Sequence, residues 1–371
     1  MTHTMTRRSL LTGSRLLLGG AVLGLLGRKS VAQVPRRSAR PVVRLIANEN
    51  PYGPSETARV ALVGAIDDSW KYAFRQEGRL KELIAEREGV TPKHVMIAAG
   101  SGEVLRIAAL TYGLRGGEVL AARPTFSMLT DYAREVGCAV INVDLDAKMR
   151  HDLAAMADQI TTKTRLIYVC NPNNPTGTLV NGTQVREFLN GVPDEIPVLV
   201  DEAYLDLWDD MLDHTAVSEV IADRNVIVTR TFSKLHGMAG LRIGYAIARP
   251  EIIRQFERNR MSILNLPGLH AATASYQDLE FQQFSRKKIA ECLAITTEAL
   301  DELKLAYAPP RGNFVFFDTG GSVRDFNAAM RSKGILTGRS FAPYRSWCRV
   351  SMGTVEDMQI FAAATREYFA T

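Results

Sequence analysis

Between about residue 70 and residue 250 the chain alternates short, continuously apolar runs with amphipathic helical stretches. The clearest runs are VMIAA at 95–99, IYVC at 167–170, PVLV at 197–200 and NVIVTRTF at 225–232. A strand covered on both faces reads as an uninterrupted apolar run, and such runs separated by helices build a mostly parallel sheet. The expected fold class is therefore α/β, with the large domain over 67–250. After Pro250 the pattern changes to a helical region from Glu251 to about Leu305, then the strand NFVFF, the helix VRDFNAAMRSKG, the strand CRVSM and a last helix from Val355 to Phe369. This predicts a smaller α+β domain over 251–371, joined by the segment 42–66.

Open α/β sheets bind ligands at the carboxyl ends of their strands. NVIVTRTF delivers Ser233 and Lys234 to such an end, and PVLV delivers Asp201, with Tyr204 three residues on. A lysine in a partly desolvated, electropositive pocket holds an unprotonated amine and forms a Schiff base with a carbonyl. Ser233 and Arg242, eight residues after the lysine, suit a phosphate. A carboxylate at 201 pairs with a pyridine nitrogen and turns the ring into an electron sink. Carbonyl, phosphate and pyridine together describe pyridoxal phosphate. Upstream, IYVCNPNNPTG at 167–177 leaves a strand through two prolines and a glycine, a rigid turn that presents Asn174. Read singly, these motifs are a surface lysine, a strand-end cap and a turn; their order along one chain makes the difference.

In that order, PNNPTG, DEAY, TFSK and GLRIGY resemble the fold-type I (class I/II) pyridoxal-phosphate aminotransferases, most closely the histidinol-phosphate aminotransferase group, from about Leu45 to the C-terminus. The resemblance implies a mostly parallel sheet of the seven-stranded type and a homodimer. It implies Lys234 as the Schiff-base lysine, Asp201 on the ring nitrogen, and Tyr204 with Asn174 on the ring oxygen. Ser233 and Arg242 would hold phosphate with Ser101 and Gly102 of the GSGE segment, where a helix N-terminus offers free N–H donors. Phe126 matches the aromatic that stacks on the ring. Tyr72 matches a tyrosine lent to the neighbouring subunit's phosphate, although the family's following proline is Ala73 here. Arg349 matches the carboxylate clamp, a role suited to a planar guanidinium fork. In LIANENPYGPS, at 45–55, Asn50 is the expected substrate contact, and Arg339 would meet a second anionic group. The segment before LIANENP lacks the family's proline-tyrosine element, which leaves the substrate open.

Residues 1–32 carry Arg7, Arg8, Arg15, Arg28 and Lys29 and no acid, around an apolar stretch from Leu16 to Leu26. Thr6-Arg7-Arg8-Ser9-Leu10-Leu11 fits a twin-arginine export signal cleaved after Ala32, ahead of a linker at 33–41. The apolar run is shorter than the roughly 20 residues a membrane span needs. A retained anchor is the alternative. These basic residues account for the formal net charge of +5, so the mature chain is near neutral and no nucleic-acid partner is expected. Cys138, Cys170, Cys292 and Cys348 show no CxxC or metal spacing and read as core thiols. The histidines form no HExxH-type cluster, so no metal is expected; His236, two residues past Lys234, is the one that could touch substrate, with a structural role the favoured reading.

The expected activity is transfer of an amino group from an amino acid or amino-phosphate donor to a 2-oxo acid, with ping-pong kinetics. In this reading the enzyme is soluble in the periplasm, exported by the twin-arginine machinery, with no stable membrane association after cleavage. The alternatives are a decarboxylase or lyase of the same fold, resembling the phosphothreonine decarboxylases, and a non-catalytic module that retained the cofactor fold.

Overall fold

The computed structural model describes residues 42–370; the expected signal, cleavage site and linker lie outside the described residues. Eleven strands are β1 (Val43–Leu45), β2 (Val95–Ala98), β3 (Glu118–Arg123), β4 (Ala139–Asp144), β5 (Thr164–Cys170), β6 (Val198–Asp201), β7 (Val226–Thr231), β8 (Gly244–Ala248), β9 (Phe314–Asp318), β10 (Ile335–Thr337) and β11 (Trp347–Ser351). Seven of them form one sheet in the order β2-β8-β7-β6-β5-β3-β4. All run parallel except β8, which is antiparallel to both β2 and β7.

Successive strand residues point to opposite faces, and here both faces are filled. Val198, Val200, Val226 and Val228 enter one apolar cluster, whereas Leu199 and Ile227 enter the other. This two-sided burial is why those runs carry no polar alternation. Cys170 pairs with Asp201, and Asp201 with Thr229, so the carboxyl ends of β5, β6 and β7 lie side by side. The three motif loops therefore leave the sheet at one edge.

A third apolar cluster lies around the antiparallel pair β9–β11, with Phe314, Phe317, Phe326 and Phe361 at its centre. Val43 and Leu45 of β1 join it, and β1 pairs in parallel with β10. Ala203, Tyr204 and Leu235, which follow β6 and β7, belong to the same cluster, so the C-terminal elements pack directly over the sheet's carboxyl edge.

The helical region expected from Glu251 to Leu305 is three helices, Pro250–Arg258, Leu266–Gln277 and Leu279–Glu302. Sequence signals for both breaks are present. Asn265 caps the second helix by accepting from the Gly268 N–H at 2.6 Å, with Pro267 in the first turn. Asp278 closes that helix and caps the next through the Phe281 N–H at 3.0 Å. A capping side chain satisfies an amide that the helix leaves orphaned, so each break is locally stabilised.

Candidate active site

Lys234 sits three residues past the end of β7, and its Nζ donates to the carbonyl oxygen of Asn48 at 2.8 Å. Burial lowers its pKa to about 8, with the nearby Arg349 cation acting in the same direction and Glu49 and Asp201 opposing it. The amine is thus partly unprotonated near neutrality, as Schiff-base formation requires. Asp201, 2 % exposed, receives the Tyr168 hydroxyl at 3.2 Å and the Ala203 N–H at 3.2 Å. Burial raises its carboxyl pKa to about 7, against these hydrogen bonds and the Lys234 charge. A protonated ring nitrogen beside it would stabilise the ionised form.

Both residues face a cavity of about 240 Å³ that is also lined by Ser101, Gly102, Phe126, Asn174, Tyr204, Ser233, Arg242 and Arg349. Sequence motifs separated by more than two hundred residues thus converge on one concave surface. At one end the helix Ser101–Gly113 begins with no side-chain cap, leaving N–H groups for an anion. A Cβ on Gly100 would strike the Arg242 guanidinium, so only glycine, here with φ 82°, permits that approach. Arg242 itself has a left-handed backbone, φ 56°, and its guanidinium is held by the Ala239 carbonyl at 2.8 Å and the Ala99 carbonyl at 3.1 Å. Ser233 Oγ accepts from Thr231 Oγ1 at 2.9 Å, which leaves the Ser233 hydrogen available to the cavity.

Toward the C-terminal elements, Arg349 Nη1 donates to Asn174 Oδ1 at 2.7 Å and Nη2 to the Ile46 carbonyl at 2.9 Å. Its Nε is buried without a partner among the described residues. Phe126, Asn174 and Arg349 also border a second cavity of about 570 Å³, lined further by Arg123, Arg134, Arg339 and Phe341. Arg123 and Arg134 are paired with Asp144 and Asp131 at 2.9 and 3.0 Å. Arg339 has no carboxylate partner among the described residues and lies 4.4 Å from the Phe341 ring centroid.

Three residues singled out in the sequence lie outside both cavities. Asn50, expected to touch substrate, does not line either cavity; its amide donates to the Lys234 and Leu235 carbonyls, both at 3.0 Å, and to Ser285 Oγ at 2.7 Å. It anchors the backbone that carries the lysine. His236 bonds through Nδ1 to Ser275 Oγ at 2.8 Å and stacks between Phe232 and Tyr276, and burial drives its pKa down to about 3. It is a neutral packing residue. Tyr72 is 72 % exposed beside Phe74 and reaches neither cavity of its own chain. Conversely, the motif reading passed over Asn48, 1 % exposed and in the cavity wall; its place two residues before Asn50 in the same NEN segment was the only available signal. Among the described residues no group of three or more potential metal ligands occurs.

The donor set calls for a ligand that is anionic at one end, aromatic with a basic nitrogen in the middle and electrophilic beside the lysine. Residues 40–364 match the family Aminotransferase class I and II. The chain belongs to that family. It is 39 % identical over 347 residues to the histidinol-phosphate aminotransferase of Moorella thermoacetica, covering 92 % of this chain and 89 % of that protein. Histidinol-phosphate aminotransferase 2 of Ralstonia nicotianae is 35 % identical over 351 residues, with 92 % and 93 % covered. The crystal structure of the histidinol-phosphate aminotransferase from Sinorhizobium meliloti in complex with pyridoxal-5'-phosphate superposes with a TM-score of 0.83 at 27 % identity, covering 89 % of this chain and 91 % of that one. This aminotransferase is a pyridoxal-phosphate enzyme, and the cavity's uncapped helix end, desolvated lysine and buried carboxylate fit that cofactor. When bound, pyridoxal phosphate supplies an electron sink for the amino carbon of the substrate. Around such a group the chain would present the Lys234 amine, the Asp201 carboxylate and the Arg349 guanidinium, all of which line the cavity.

Proposed function

We propose that the amino donor of this transaminase carries an anionic group beyond its amino carbon, and that a phosphate ester of the histidinol-phosphate type is its best donor, with a 2-oxo acid as acceptor. The observation that carries this is the guanidinium of Arg339, free of any carboxylate among the described residues, facing a cavity that shares Phe126, Asn174 and Arg349 with the cofactor cavity. Arg349 and Arg339 would divide the anion, since paired guanidinium forks bind phosphate and carboxylate oxygens bidentately. The names of the relatives support the phosphate. A donor screen with 2-oxoglutarate, comparing histidinol phosphate, aspartate and uncharged amino acids, tests the reading. Higher kcat/KM for donors without a second anion would refute it.

In the same reading, Ser233, Arg242, Ser101 and Gly102 hold the cofactor phosphate, Phe126 lies on its ring, and Lys234 carries the substrate's α-proton between carbons. Assembly is a homodimer in which Tyr72 completes the neighbour's phosphate site. Its support is a run of exposed apolar side chains in one segment, Val60, Val63, Ile66, Trp70, Tyr72 and Phe74, as expected of a surface that a second copy covers. Residues 1–32 act as a twin-arginine signal, supported by the paired Arg7 and Arg8 and the short apolar stretch after them. Replacing both arginines with lysine should leave uncut, active protein in the cytoplasm; continued export and shortening would refute that route.

A further inference from the structure

The Tyr204 hydroxyl is 4 % exposed with the rest of its side chain and is met by two amide groups. Asn48 Nδ2 approaches it at 3.0 Å and Asn174 Nδ2 at 3.2 Å. A phenol oxygen has two acceptor positions and one hydrogen. Two N–H donors fill the acceptor positions, and the hydrogen is left for the cavity that Tyr204 lines.

This outcome depends on which end of each amide faces the phenol, and both ends are set from β11. Arg349 Nη1 donates to Asn174 Oδ1 at 2.7 Å; a guanidinium has no acceptor, so the Asn174 amide nitrogen must turn to Tyr204. Ser351, two residues along the same strand and 1 % exposed, does the equivalent for Asn48. Its Oγ accepts the Asn48 backbone N–H at 2.8 Å and donates its own hydrogen to Asn48 Oδ1 at 2.8 Å. Reversing the Asn48 amide would place N–H against that hydroxyl and strand a buried hydrogen without an acceptor. Asn48 is further pinned by a left-handed backbone, φ 52°, and by its carbonyl, which receives Lys234 Nζ at 2.8 Å and Asn313 Nδ2 at 3.1 Å.

We propose that Asn48 and Ser351 are positioning residues that hold the Tyr204 hydroxyl as a hydrogen-bond donor toward the ring oxygen of the cofactor. The inference rests on the assignment of Tyr204 to that oxygen. Its consequence is electronic: a donor on the ring oxygen withdraws charge from it and makes the neighbouring protonated nitrogen, contributed by Lys234, more acidic. Because Ser351 and Arg349 share one strand, the seating of β11 governs both amides and so the direction of the phenol hydrogen.

The test is a pH titration of the visible absorbance of the holoenzyme, in wild type and in Tyr204→Phe, Ser351→Ala, Asn48→Asp and Ser351→Thr variants. Tyr204→Phe should raise the midpoint by about one pH unit, the scale of one charge-assisted hydrogen bond. Asn48→Asp puts an acceptor against the phenol, and Ser351→Ala frees the Asn48 amide to turn; both should raise the midpoint in the same direction. Ser351→Thr keeps the hydroxyl and should return it to the wild-type value. If Tyr204→Phe moves the midpoint but Ser351→Ala and Asn48→Asp do not, the positioning role is overturned while the Tyr204 assignment stands. A midpoint insensitive to Tyr204→Phe, or no titrating band in wild type, overturns both.

Discussion

Arg230 and Glu202 form an ion pair at 2.9 Å in which neither side chain is more than 3 % exposed. The pair joins the ends of β6 and β7 one residue beyond Asp201, and Arg230 also holds Glu88 at 2.7 Å and Thr215 Oγ1 at 2.8 Å. Glu202 receives the Ala216 N–H at 2.7 Å as well. Such a fully bonded cluster keeps the two strand ends in register under the site. Removing its cation leaves two buried carboxylates unpaired.

Arg230→Ala should therefore cost on the order of 3–5 kcal/mol in urea unfolding near pH 8. Burial already raises the Glu202 carboxyl above its ordinary value against the Arg230 charge, and without that charge its folded-state pKa would lie further above the unfolded one, so the penalty grows as pH rises and fades as it falls. The variant's deficit should shrink toward about pH 5, which the same unfolding measurement at several pH values will check.

The lowered pKa of Lys234, about 8, makes a prediction for capture of the cofactor by the apoprotein. Only the free amine attacks, so the rate should fall about tenfold for each pH unit below that value and level off above it. Stopped-flow absorbance will read this. Borohydride reduction followed by peptide mapping should place the adduct on Lys234, and a rate still climbing steadily toward pH 10 would show that the amine is not desolvated.

Asp201→Ala should lower turnover by about 10²-fold or more while cofactor binding persists in part, because the groups proposed to hold the phosphate are untouched. Single-turnover kinetics on loaded protein will separate the two effects. Near-normal turnover would remove Asp201 from the chemistry.

Tyr72 lies exposed in its own chain, yet its loss should impair activity if it completes the neighbour's site. Mixing inactive Lys234→Ala chains with inactive Tyr72→Ala chains should restore activity in hybrid dimers, each with one intact site. Sedimentation equilibrium should give a dimer; a monomer at micromolar concentration would end this reading.

The strand runs and the loop motifs were legible in the sequence because their constraints are local. A strand buried on both faces must be apolar at every position, as Val198–Val200 and Val226–Val228 are, and the chemistry of a lysine, carboxylate and arginine after strand ends follows from residue type. Asn265 and Asp278 are equally local as caps, and they break the single helical region expected there into separate helices. The assignment of Asn50 and Asn48 was not local. Both are short amides in the same loop, and only the packing of that loop between β11 and the sheet edge turned Asn48 to Tyr204 and Asn50 to the lysine backbone. The sequence by itself determined which elements form and which chemical groups stand at their ends. Tertiary structure decided which of those groups meet, since hydrogen-bond partners hundreds of residues apart are chosen by the geometry of the packed core rather than by spacing along the chain.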